Sequence, residues 1–245
     1  MITYSDVTIC IPTSWVPSCP SGRLVQHVYT QLVTQYSGFS KCPVVIGYDN
    51  YKGETAYYQE LCNLSFASFV CDTRSSLLES IAYRRARSFK NMIDQVTTKY
   101  LLFWEHDWAF TFAVIDWDSL FSILDAESTV NTVYFNKRKN VLRGVDVTLQ
   151  PRTWGSTTLC RTSRYSNNPS LTCTRTWRTR CSPVVAGIAQ TGVELERVVY
   201  EAYRSDIKKK GFIAANEDWG AYLYGDLNSG PYVKHFNGAV WNGKI

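Results

Sequence analysis

Residues 100–110 read YLLFWEHDWAF: five apolar residues run into Glu105, His106 and Asp107, and apolar residues resume at once. A run of this kind belongs to a buried strand. A bare carboxylate there costs several kcal/mol unless a cation or hydrogen-bond donors compensate it. Residues two apart on a strand face the same side. Glu105 and Asp107 are therefore expected to point together, with His106 turned away.

The same ending recurs upstream. VTICIPT (7–13), CPVVIGYDN (42–50) and FASFVCD (66–72) read as buried strands, the second and third closing on Asp49 and Asp72. Between them, SGRLVQHVYTQLVTQY (21–36) keeps helical spacing at Leu24, Val28 and Leu32. SLLESIAYRRARSFKNMIDQVT (76–97) sets Ala82, Ala86, Phe89, Ile93 and Val96 on one face, with Arg84, Arg85, Arg87, Lys90 and Asn91 on the others. Strands alternating with helices predict an α/β fold with a mostly parallel central sheet. Ligands of such sheets bind beyond the carboxyl ends of the strands, where Asp49, Asp72, Glu105 and Asp107 all fall.

After residue 110 the rhythm loosens. WDSLFSILDA (117–126) predicts a short helix, TVNTVYFN (129–136) an edge or mixed strand, and residues 150–183 long loops with short strands. GVELERVVYEAYRSDIKKKG (192–211) predicts a helix stopped by Gly211. The tail carries a second acid pair, Glu217 and Asp218, in NEDW. No repeat or low-complexity linker divides the chain, so residues 1–245 are expected to form one domain.

A hydrophobic fraction of 45% with only 19% charged residues supports a sizeable core and argues against long disorder. No apolar run approaches a membrane span, and the N-terminus has no basic leader, so a cytoplasmic protein is expected. The eight cysteines form no Cys-x-x-Cys pair and only three histidines exist, which speaks for free thiols and against a zinc cage. Residues 137–180 hold ten bases against one acid, whereas residues 1–136 hold nine bases against thirteen acids. The middle block either meets an anionic partner or is a solvated basic surface.

Two converging carboxylates repel, and a divalent cation resolves the conflict. Mg²⁺ or Mn²⁺ takes oxygen ligands, commonly one or two carboxylates plus substrate phosphates. The alternative is that one acid pairs with Arg84 or Arg87 and the other caps a turn.

Together, VTICIPTSW, the Asp49 after VVIGY, the helix with RSFKN, YLLFWEHDW and NEDWGAYLYG resemble an inverting GT-A glycosyltransferase of the family-2 type. The likeness covers roughly residues 5–110 and 211–240. The EHDW form is also similar to glycosyltransferases of large DNA viruses that glycosylate capsid proteins, which would place the chain in host cytoplasm. The resemblance implies a nucleotide-sugar-binding half over about 1–110 and an acceptor-side half over about 111–245. A UDP- or GDP-sugar would be met by Pro12, Thr13, Asp49, Arg84, Arg87, Asn91, Glu105 and His106. Asp107, Glu105 and His235 would hold Mn²⁺ or Mg²⁺. Asp218 would be the catalytic base that deprotonates a glycan or glycoprotein hydroxyl, with Glu217 orienting the acceptor or the backbone. The alternative for that acid pair is a helix N-terminus, where the dipole favours acids. Trp219 is a candidate for stacking on a sugar.

Three features depart from the family pattern. Glu105 stands where Asp is usual, Asp49 has no Asp-Gly-Ser after it, and residues 137–180 match no family element. Two other functions use similar residues: a metal-dependent nuclease or phosphohydrolase, and a non-catalytic carbohydrate-binding module on a transferase fold. The nucleotide-binding layout makes nucleic acid an unexpected partner.

Overall fold

In a computed structural model the chain is described over residues 4–50, 54–74, 79–142, 149–185, 187–188 and 192–236. The amino-terminal part alternates strand and helix: β1 (Val7–Thr13), α1 (Arg23–Gln35), β2 (Val44–Asn50), α2 (Thr55–Cys62), β3 (Phe69–Arg74), α3 (Ile81–Asp94) and β4 (Tyr100–Phe103). Every residue of β1, β2 and β4 is buried. That explains why these segments are continuous apolar runs, as parallel strands covered on both faces must be.

The second part supplies β5 (Trp108–Phe110), α4 (Trp117–Ala126), β6 (Thr132–Tyr134), β7 (Gln150–Trp154), β8 (Thr157–Arg161), β9 (Ser170–Cys173) and α5 (Thr174–Arg180). It ends with α6 (Leu195–Lys210), α7 (Phe212–Trp219), β10 (Ala221–Tyr224) and β11 (Val233–His235). A nine-stranded sheet runs in the order β3-β2-β1-β4-β9-β6-β10-β8-β7. Its first four strands are mutually parallel, β9 enters antiparallel between β4 and β6, β6 and β10 are parallel, and β8 and β7 close the far edge antiparallel. The molecule is thus α/β, with a sheet parallel at one side and mixed at the other.

Helices cover both faces. On one, Val25, Val28 and Leu32 of α1, Tyr57 and Leu61 of α2, and Trp117, Leu120 and Phe121 of α4 pack in a single apolar cluster. On the other, Ala82, Ala86 and Met92 of α3 pack with Trp177, Leu195, Val199, Tyr203 and Trp219. Ser80 caps α3, its hydroxyl accepting from the Tyr83 amide. Among the described residues no helix is long and apolar enough to cross a membrane.

The structure departs from the sequence expectation in three places. The 100–110 run is not one strand: β4 stops at Phe103, a turn occupies His106 and Asp107, and β5 leaves the main sheet to pair with β11. Residues 129–136, expected as an edge or mixed strand, form the mixed one: β6 is interior, parallel to β10 and antiparallel to β9. Helix α2, TAYYQELC, was not expected, because its weak apolar periodicity buries only Tyr57 and Leu61. The third is the acid pair of NEDW, which sits in the last turn of α7 rather than at a helix start, so the dipole reading is reversed.

Candidate functional site

Three parallel strands deliver their carboxyl ends to one place. β1 brings Pro12 and Thr13, β2 brings Asp49, and the turn after β4 brings Glu105, His106 and Asp107. A cleft of about 290 Å³ opens above them. Arg85 and Ser88 of α3, Asn167 of the β8–β9 loop, Glu194 at the start of α6 and His235 of β11 complete its walls.

The turn is held from several sides. The His106 amide donates to the Pro12 carbonyl at 3.3 Å, tying the turn to β1. The Trp104 indole N–H donates to the Trp108 carbonyl, and the Trp108 indole N–H donates to Glu105 Oε2, both at 3.2 Å. His106 is buried and lines the same cleft as the two acids, not turned away from them as strand alternation implied, and its Nδ1 lies 3.4 Å from the Pro12 carbonyl. Burial holds the His106 imidazole below its ordinary value, against the pull of Asp107 and the Pro12 carbonyl. The ring is therefore neutral near pH 7.

Glu105 and Asp107 do converge, though through a turn rather than a strand. Burial, with Asp107's charge adding to it, pushes Glu105 up to about 8 against the Trp108 hydrogen bond. Asp107 Oδ2 faces His235 Nε2 at 2.9 Å, while its Oδ1 is buried and has no hydrogen-bond partner. An acid that retains a proton beside a carboxylate oxygen with no partner is a site short of positive charge. These residues fit a hard divalent cation. Among the described residues, however, no group of three or more His, Cys, Asp or Glu is arranged to hold a metal by itself. An ion here would need further oxygens from a ligand.

At the β1–β2 side of the cleft, Thr13 Oγ1 and Tyr57 Oη lie 2.6 Å apart. Asp49 is buried with Oδ1 unpartnered. Burial raises its carboxyl, and the charges of Arg84, Arg85 and Arg87 oppose that rise.

Of the residues predicted on α3, Arg84 is buried, Arg87 makes two hydrogen bonds to Glu79 at 2.8 and 2.9 Å, and neither they nor Asn91 line the cleft. Arg85 does, and its Nη1 lies 3.9 Å from Glu194 Oε1 across the mouth. Arg85 was placed on the polar faces of the helix but given no ligand role, because one arginine of RRAR cannot be told from the next without the helix phase. Glu194 was read only as helix. The signal available was an acid immediately ahead of the first helical residue, Leu195, of an amphipathic segment.

Glu217 and Asp218 are not brought to this cleft. They line a separate groove with Lys99 and Tyr100, at the amino end of β4, a full strand length from Asp107. Lys210 pairs with Asp218 and holds its carboxyl below the usual range, and Arg161 lies 3.9 Å from Glu217. Trp219 is buried against Tyr203, with its indole N–H on Asp206 Oδ2 at 2.9 Å. It fills core at the same end.

No protein-family model matches the sequence, and no curated protein matches it. Among solved structures, similarity is found to the mannosyltransferase PcManGT from Pyrobaculum calidifontis in complex with GDP-Man and Mn²⁺. The identity is 14%, over 71% of this chain and 46% of that one, with a TM-score of 0.44. Another is TarS 1-349 of S. aureus in complex with UDP, at 13% identity over 93% of this chain and 59% of that one, TM-score 0.49. The chain spans about half the length of these proteins.

Proposed function

We infer that the chain is a metal-dependent inverting glycosyltransferase of the GT-A fold. It takes a hexosyl or pentosyl group from a UDP- or GDP-sugar and passes it to a hydroxyl of a glycan or glycoprotein. The reading rests on one convergence: Thr13, Asp49, Arg85, Glu105, Asp107, Glu194 and His235 meet in one cleft at the carboxyl ends of parallel strands, and Asp107 Oδ1 is buried there without a partner.

Thr13 and Asp49 take the nucleoside, Asp49 accepting from base or ribose donors. Arg85 faces the diphosphate. Asp107 and His235 would hold the cation, with Glu105 in support, and ligand phosphates would complete the shell. The bound ion would supply Lewis-acid stabilisation to the departing diphosphate.

In this reading the proton acceptor is Glu194 rather than Asp218. A general base must lie within hydrogen-bond reach of the hydroxyl it deprotonates, and Asp218 lies at the far end of the strands. Glu194 lines the cleft with a half-exposed side chain. Its contact with Arg85 is long and solvated, hence weak, and it breaks readily when substrate enters. In the transfer the acceptor oxygen bonds to the anomeric carbon from the face opposite the diphosphate. The bond from that carbon to the phosphate oxygen breaks, and the hydroxyl proton goes to Glu194.

Incubation with a panel of UDP- and GDP-sugars and Mn²⁺ tests the function. Release of nucleoside diphosphate that needs the metal supports it. Cleavage of nucleic acid with no such release favours the phosphohydrolase reading instead.

A further inference from the structure

The cleft does not end at Glu194. That residue also lines a shelf of about 210 Å³ together with Arg164, Glu196, Arg197 and Tyr200. Arg164 belongs to the loop between β8 and β9 that also brings Asn167 to the cleft. This loop is pinned to α6 by the Tyr203 hydroxyl, which donates to the Thr162 carbonyl at 2.9 Å, and its Arg164 amide donates to Thr162 Oγ1 at 3.2 Å. Cleft and shelf are therefore one continuous surface on ordered elements, with Glu194 at the join.

We propose that this shelf binds the acceptor as a neutral saccharide, with Tyr200 as the platform for a sugar face and Arg164 and Arg197 as donors to its hydroxyls. The inference rests on the transferase reading for its purpose and on the shelf's own chemistry for its ligand. Arg164 and Arg197 stand with Glu194 and Glu196 on the shelf, and the nearby Arg85 and Arg204 lie against Glu194 and Glu201, so charges of both signs are mixed there and no strong single-sign field draws a polyanion. What remains is a set of directional donors and acceptors beside an aromatic ring, which suits a polyol whose two faces differ in polarity. Arg204, on α6 itself, lies 5.9 Å from the centroid of the Tyr200 ring. A saccharide seated there presents a hydroxyl to Glu194, within the cleft that holds Asp107.

The test is saturation-transfer NMR on the full chain with Mg²⁺ and UDP or GDP, using methyl hexosides and pentosides, the matching methyl uronides and sugar phosphates. Neutral glycosides are expected to bind, with little change between roughly 50 and 500 mM salt. Tyr200→Ala and Arg197→Ala should each weaken that binding about tenfold or more with an unaltered melting transition. Lys209→Ala, on the same helix but away from the shelf, should bind as wild type does. Undiminished glycoside binding in both shelf variants, absence of neutral glycoside binding to wild type, or a preference for charged ligands that fades with salt each overturns the proposal. Loss of glycoside binding in the variants of a protein that turns over no nucleotide sugar upholds the shelf and removes the transferase reading.

Discussion

Glu105 is where burial and charge compete most openly. Its ordinary carboxyl value is 4.5 and the fold raises it to about 8, so between those values the folded chain keeps a proton that the unfolded chain has released. Stability then falls as pH rises through that window. In EDTA, Glu105→Gln should remove this dependence, its advantage over wild type growing from pH 5 to pH 8. Parallel stability curves in urea would contradict it. Asp107 has the opposite need, because its buried Oδ1 lacks a donor. Asp107→Asn should lower metal-dependent turnover more than about 100-fold, whereas a variant within a few-fold of wild type would remove Asp107 from the metal shell. Glu194→Gln should retain nucleoside diphosphate binding and lose roughly 100- to 10,000-fold in turnover, as for a general base. Asp218→Asn, paired with Lys210 at the far end of the sheet, should keep its rate. The reverse pattern would restore Asp218 as the base.

At the scale of elements, close approaches set the tolerances. Gly220 ends α7 with φ near +60°, and a Cβ there would sit 2.5 Å from the Asn131 backbone nitrogen. Gly220→Ala should destabilise by about 1–3 kcal/mol, a drop in melting temperature of roughly 2–10 °C for a chain of this size. An unchanged transition would mean that the β6 amino end yields. The strands of the parallel half were legible because double burial writes itself as unbroken apolar runs. Their terminal acids were legible because carboxylates interrupt those runs. The turn at His106–Asp107 was not, since Trp108, Ala109 and Phe110 are as apolar as β4 but are buried in a different, two-stranded sheet. Residues 129–136 were legible as an edge or mixed strand, and β6 is mixed, parallel to β10 and antiparallel to β9. NEDW was misplaced for a related reason: an acid pair before an apolar run has the same pattern at a helix start as at a helix end followed by a strand.

For the whole molecule, the division of labour follows the sheet. Its parallel side ends in acids and gathers the cleft, while the mixed side contributes the β8–β9 loop and, through α6, Glu194 and the shelf. Half of the candidate site could therefore be read from strand endings. Arg85, Asn167 and Glu194 could not, because their positions depend on how distant elements pack. The central claim is that the cleft is short of positive charge and is completed by a divalent ion shared with a nucleoside diphosphate. It is tested most directly by melting the protein with UDP or GDP, with and without Mn²⁺, in wild type and in Asp107→Asn. Ligand at about 100 times its dissociation constant adds about 2.7 kcal/mol to stability. A rise in melting temperature that needs nucleotide and metal together and vanishes in the variant is the predicted result, and an equal rise in both proteins, or none in wild type, would contradict it.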